Sequence, residues 1–157
     1  MKIFLGLVVS HLGMGILGFA IGIYALPILI APESPSAKQV EVKAAVAMFT
    51  AKFERDLQDS DALHWGKGQV SISPDTVAFA GELAPGPDYK LYLSPVFVET
   101  EQAFNQHKAI MVQVGDIKTF DNFIVALPKQ VDPSQFTSVI VWCETFGEFI
   151  TAAQYQN

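Results

Sequence analysis

Residues 3–31 contain no Asp, Glu, Lys or Arg. As an α-helix, rising about 1.5 Å per residue, this run exceeds a hydrocarbon core roughly 30 Å thick. Pro27 can end or kink the helix without spoiling the argument, because residues 3–26 alone are long enough to span. A cleaved signal peptide would carry an apolar region of about 7–15 residues before a small-residue site. This run is about twice that length, and no A-x-A-like site stands near Ala31. The segment therefore reads as an uncleaved signal-anchor helix. Lys2 and the α-amino group precede it and Glu33 follows it, so the positive-inside rule puts the N-terminus in the cytoplasm. The rest of the chain is then extracytoplasmic, and periplasmic in a bacterial inner membrane. His11 is the one ionisable group in the span. It is either a functional group or a neutral imidazole bonded to a helix neighbour. Gly18 and Gly22 form a G-x-x-x-G pair that would let two such helices approach closely as a dimer.

With about 30 of the 157 residues assigned to the bilayer, roughly 125 remain, enough for one domain with one core. The net charge is −6, and the only basic residue before Lys38 is Lys2. No Lys/Arg cluster is present. Nucleic acid is excluded as a partner, since phosphate neutralisation supplies most of that affinity. Attraction to anionic lipid is unfavoured for the same reason.

The division expected is a cytoplasmic tip and transmembrane helix over 1–31, a proline linker and helical spacer over 32–61, and a β domain over 62–157. Pro32 and Pro35 stop the first helix from continuing. Val40, Ala44, Ala47, Met48 and Ala51 then recur at helical spacing and predict a second helix over residues 38–57. From Trp65 the period changes to two. Strands are predicted over 68–73, 76–83, 89–93, 110–114, 122–127 and 138–144. Turns fall at Ser73-Pro74-Asp75, Pro85-Gly86-Pro87-Asp88 and Gly115-Asp116, and residues 99–107 suit a short helix. Short strands at this spacing specify an all-β domain, an antiparallel sandwich or barrel. The gaps are too short for the crossover helices of a parallel sheet.

Val139-Ile140-Val141-Trp142-Cys143 is apolar on both faces, as in a central buried strand. Val139, Val141 and Cys143 face one way, and Ile140, Trp142 and Glu144 the other. Cys143 is the only cysteine, so an intramolecular disulfide and a Cys-rich zinc cage are excluded. Three readings are open for it: a buried small hydrophobe, a disulfide between two chains, or a reactive thiol. Reactivity normally needs a nearby cation or helix N-terminus, and here any activating group must come from residues distant in sequence.

Residues 64–154 resemble the DM13 domain, described as an electron-transfer domain. Four segments carry the resemblance: His64-Trp65-Gly66-Lys67-Gly68; Pro85-Gly86-Pro87-Asp88-Tyr89-Lys90-Leu91-Tyr92-Leu93-Ser94; Val114-Gly115-Asp116-Ile117-Lys118; and Val139-Ile140-Val141-Trp142-Cys143-Glu144 with Phe146. Phe149, Ala152 and Ala153 close the match. The resemblance implies an all-β extracytoplasmic domain with Cys143 as a candidate redox thiol. It also singles out His64, Trp142 and Asp88 as candidates for contact with a substrate or partner. No haem- or sugar-binding domain accompanies the match, so the electron partner would be a separate redox or envelope protein. A non-catalytic binding or assembly module is the rival reading.

Other chemistry has less support. Blue copper needs two His, a Cys and usually a Met. Cys143, His64, His107 and Met111 supply the types, but neither His nor Met follows Cys143. Covalent haem needs Cys-x-x-Cys-His, which is absent. The sequence requires no cofactor and offers no metal site. A hydrolase would need Cys143 beside His64 or His107, and a stand-alone enzyme is not expected. Asp88 is expected to cap its own turn.

Overall fold

A computed structural model describes residues 2–157. Helix α1 (Lys2–Ile30) carries Pro27 inside it and continues one turn beyond, without a break. At 29 residues it is long and apolar enough to cross a membrane. Its side chains are almost all exposed, Pro27 being buried. His11 Nδ1 bonds the Leu7 carbonyl at 2.7 Å, one turn back along the same helix.

Ser36 caps helix α2 (Ala37–Ala44) in a capping box with Gln39. The helix stops at Ala44, not at residue 57. Residues Phe49–Phe53 form strand β1, with Ala51 and Phe53 buried while Thr50 and Lys52 face solvent. The apolar positions of this stretch fit both periods. Pairing with the next strand decides between them, because it satisfies the backbone and puts Phe53 into the core. The segment expected as a helical spacer is thus half helix and half edge strand. The helix packs on the domain through Val40.

Seven further strands follow: β2 (Gly66–Ile72), β3 (Thr76–Leu83), β4 (Tyr89–Ser94), β5 (Val112–Ile117), β6 (Phe123–Ala126), β7 (Ser138–Cys143) and β8 (Glu148–Gln154). They make two antiparallel four-stranded sheets, ordered β1-β2-β3-β6 and β5-β4-β7-β8. The fold is the expected all-β sandwich, with no closed barrel. Helix α3 (Glu101–His107), capped by Thr100, lies between β4 and β5.

Two expectations need correction. Gly115-Asp116 is not a turn but part of β5, opposite a bulge between Leu91 and Tyr92. Glycine is required there because a Cβ at Gly115 would run into Val125 of β6. Strand β8 had no strand prediction. It is buried at five consecutive positions, so it shows no alternation, and Ala152 and Ala153 cut short the β-favouring run of Phe149, Ile150 and Thr151.

The main core lies between the sheets. It contains Phe53, Val70, Ile72, Phe79, Leu91, Val139, Val141 and Cys143. A second core covers the outer face of the β7 sheet and holds Tyr92, Phe104, Ile140, Trp142 and Phe149. There the Phe104 ring of α3 stacks on Trp142, centroids 3.9 Å apart and planes 11° apart. Tyr92 meets the same Phe104 ring edge-on at 5.2 Å. Strand β7 is therefore buried on both faces, as its composition required. Phe104→Ala removes the ring that roofs Trp142. It should lower unfolding free energy by about 3–5 kcal/mol, read by chemical denaturation of the detergent-solubilised chain.

Candidate functional site

Cys143 ends β7, between Tyr89 of β4 and Glu148 of β8. Gly147, at φ 70°, makes the tight turn that brings β8 back, and its N–H bonds the Cys143 carbonyl at 2.9 Å. The thiol is only 3% exposed. It faces the inter-sheet core but also forms part of the wall of a cavity of about 230 Å³ at the end of the sandwich. Burial pushes the thiol above its ordinary pKa, and the Asp88 carboxylate acts the same way. Backbone hydrogen bonding from Phe146, Asp88 and Thr145 acts in the opposite sense and favours the thiolate. The balance leaves Cys143 protonated at neutral pH.

His64 lines the same cavity. Asp61 orients it, accepting from the Leu63 and His64 backbone N–H groups at 2.6 and 2.7 Å and bonding the ring Nδ1 at 3.1 Å. The structure thus brings Cys143 and an Asp-held imidazole to one cavity from positions 79 residues apart in sequence. No hydrogen bond joins them among the described residues, so the nucleophile–base pair of a Cys–His hydrolase is not formed.

The other candidates lie elsewhere. Trp142 points into the outer core, away from the cavity, and its indole N–H has no protein partner. Met111 also belongs to that outer core. His107 ends α3, the helix that covers the same outer face. The four copper-type residues are therefore divided between the two faces of one sheet. Among the described residues no group of three or more His, Cys, Asp or Glu side chains could hold a metal ion.

The Asp88 side chain reaches beyond its own turn instead of capping it. Its Oδ1 pairs with Lys90 at 2.8 Å, its Oδ2 accepts from Thr145 Oγ1 at 3.1 Å, and its carbonyl accepts from Glu144 N at 3.0 Å. These bonds tie the Pro85–Asp88 turn to the segment following Cys143. The Lys90 ammonium holds the Asp88 carboxyl below its usual value. On the outer side, Glu144 accepts from the Tyr92 hydroxyl and pairs with Lys108 at 2.8 Å.

Sequence reasoning missed Glu148 and Tyr24, both lining the thiol cavity, where Phe146 of the Cys143 segment also lies. Glu148 could have been found by recognising the β7–β8 hairpin, which folds it back opposite Cys143. Its carboxyl hydrogen-bonds that of Glu101, the first residue of α3. That contact, with burial and repulsion from Asp59, pushes the Glu101 carboxyl up to about 7. The Glu101 carboxyl therefore keeps its proton closer to neutral pH than an ordinary glutamate does.

The arrangement defines a class: a two-sheet β sandwich with one protonated thiol and an acid-held imidazole at the end where the chain enters from an apolar helix. A family model described as electron transfer DM13 matches residues 52–155, two thirds of the chain. The protein belongs to the DM13 electron-transfer family. Searches of curated proteins and of solved structures gave no match.

Because the folded pKa of Glu101 is raised, its favourable contribution is complete below about pH 4.5 and is lost as pH rises through about 7. The melting temperature should therefore fall over that window more steeply in the native chain than in Glu101→Gln. Thermal scans across the range check this.

Proposed function

We propose that this chain is a single-pass, membrane-anchored DM13 module. Its β domain is extracytoplasmic and serves electron transfer through the Cys143 thiol, with a separate redox or envelope protein as partner. Membership of an electron-transfer family over residues 52–155 carries the redox part of the reading. The charge-free, outward-facing α1 supports the anchor, and Lys2 before it and Glu33 after it support a cytoplasmic N-terminus. For the thiol, the supporting observation is the position of Cys143 in a cavity wall together with His64. Backbone hydrogen bonds that favour the thiolate would lower the cost of ionising it once the site opens. His64 and Asp88 act as positioning residues, one at the cavity and one holding the loop beside the sulfur.

A second reading rests on a specific observation. The thiol is nearly inaccessible and protonated, as a structural cysteine would be. In that case the sandwich is a binding or assembly module of the cell envelope and Cys143 only fills its core.

Trapping separates the two. Native membranes are exposed to peroxide and then to a dimedone-type reagent that marks sulfenic acid. Labelling of Cys143, detected by mass spectrometry and lost in Cys143→Ser, is the expected result. A thiol that stays unmodified under oxidant overturns the redox reading in favour of the structural one.

A further inference from the structure

The cavity beside Cys143 is closed on one side by the anchor helix, through Ala20, Ile23 and Tyr24. These residues lie six to ten positions before Ile30, about 9–15 Å along the helix axis. Beyond them, Ile21, Leu26, Ile28, Leu29 and Ile30 remain between 47% and 80% exposed. A continuous apolar face of this kind needs lipid against it. Ala20, Ile23 and Tyr24 are nearer the bilayer centre than Ile30, so the helix wall of the cavity lies at or below the level of that lipid. With α1 in a bilayer, a lipid-soluble molecule can reach this cavity from the membrane.

The lining narrows its chemistry. Tyr24, Tyr89 and Phe146 supply aromatic walls, while the Cys143 thiol, His64 and Glu148 supply polar groups. The Cys143 thiol can donate to an acceptor oxygen. Glu148 and the nearby Asp61, Asp59 and Glu101 disfavour an anionic head such as a fatty-acid carboxylate or a lipid phosphate. At about 230 Å³ the space falls below the roughly 300 Å³ at which pockets for drug-sized ligands begin, and so suits a single ring.

We propose that this cavity binds the head group of a neutral, lipid-soluble, one-ring quinone, with its carbonyl oxygens facing the polar groups and its tail in the bilayer. The proposal deepens the redox reading above and rests on the anchor part of it. It assigns a binding site only and invokes no covalent step.

The test uses the full chain in phosphatidylcholine nanodiscs with an azido-derivatised decyl-benzoquinone. After photolysis, mass spectrometry should place the adducts on cavity residues from both sides, Tyr24 on the helix and Phe146 or Tyr89 on the domain. Unlabelled decyl-benzoquinone should suppress labelling by about tenfold or more, and oleate should not. Ala20→Trp from the helix and Phe146→Trp from the domain each fill the space. Either should reduce labelling about tenfold, with an unchanged circular dichroism spectrum, while Leu7→Trp leaves it intact. Adducts scattered along α1 and indifferent to both filling substitutions, or equal suppression by oleate, overturn the proposal. Labelling that persists while Cys143 resists sulfenic trapping removes the thiol reading and leaves the site standing. Trapping without site-specific labelling does the reverse.

Discussion

Strand β7 is buried on both faces, and the layering of the domain follows from that requirement. A strand reading Ser-Val-Ile-Val-Trp-Cys has no polar side to give to water. Its inward face is met by the opposite sheet. Its outward face, with Ile140 and Trp142, is met by α3 through the Phe104–Trp142 stack. Because α3 has to cover β7, the connection from β4 to β5 passes over the sheet rather than turning tightly. That route carries Glu101 and Lys108 to β7 and β8. Lys108 then pairs with Glu144, and Glu101 with Glu148.

The electrostatics differ between the two ends of this strand's surroundings. On the outer face, Tyr92, Glu144 and Lys108 form a satisfied network that ties α3 to the sheet. At the thiol end the charges are mainly acidic, and no Lys or Arg forms part of the cavity wall. A thiol in such surroundings stays protonated, so its chemistry depends on access and on its backbone donors rather than on a cationic neighbour. The same acidity shapes what the cavity can admit.

The anchor helix and the sandwich meet where the Pro85–Asp88 turn leaves the domain. Pro27, the buried residue of α1, sits at this contact with Ile30 and Pro32. The meeting puts the cavity at the base of the domain, facing the helix. The end of the sandwich that carries Cys143 is therefore also the end nearest α1, and the short proline linker allows the domain little distance from that helix.

Strands β3 and β4 were legible from alternation in the sequence, with Val77, Phe79 and Leu83 in one and Tyr89, Leu91 and Leu93 in the other, although both are buried over most of their length. The doubly buried β7 was legible from its unbroken β-branched and aromatic run. Strand β1 was not, because Ala47, Met48 and Ala51 fit a helical stripe as well as a strand. Only the open edge of β2 decides the matter. Strand β8 was hidden by its alanines. Cys143, His64 and Asp88 were singled out as residues, whereas their arrangement was not visible: Asp61 turns His64 toward the thiol cavity, Asp88 clamps the segment after Cys143, and Trp142 faces away. By itself the sequence determined that a charge-free helix precedes an antiparallel sandwich and that Cys143 ends its most buried strand, since length, charge and period are local properties. The tertiary structure alone decided which helix residues close the cavity and that Glu148 lies against Glu101, because those contacts join side chains far apart along the chain.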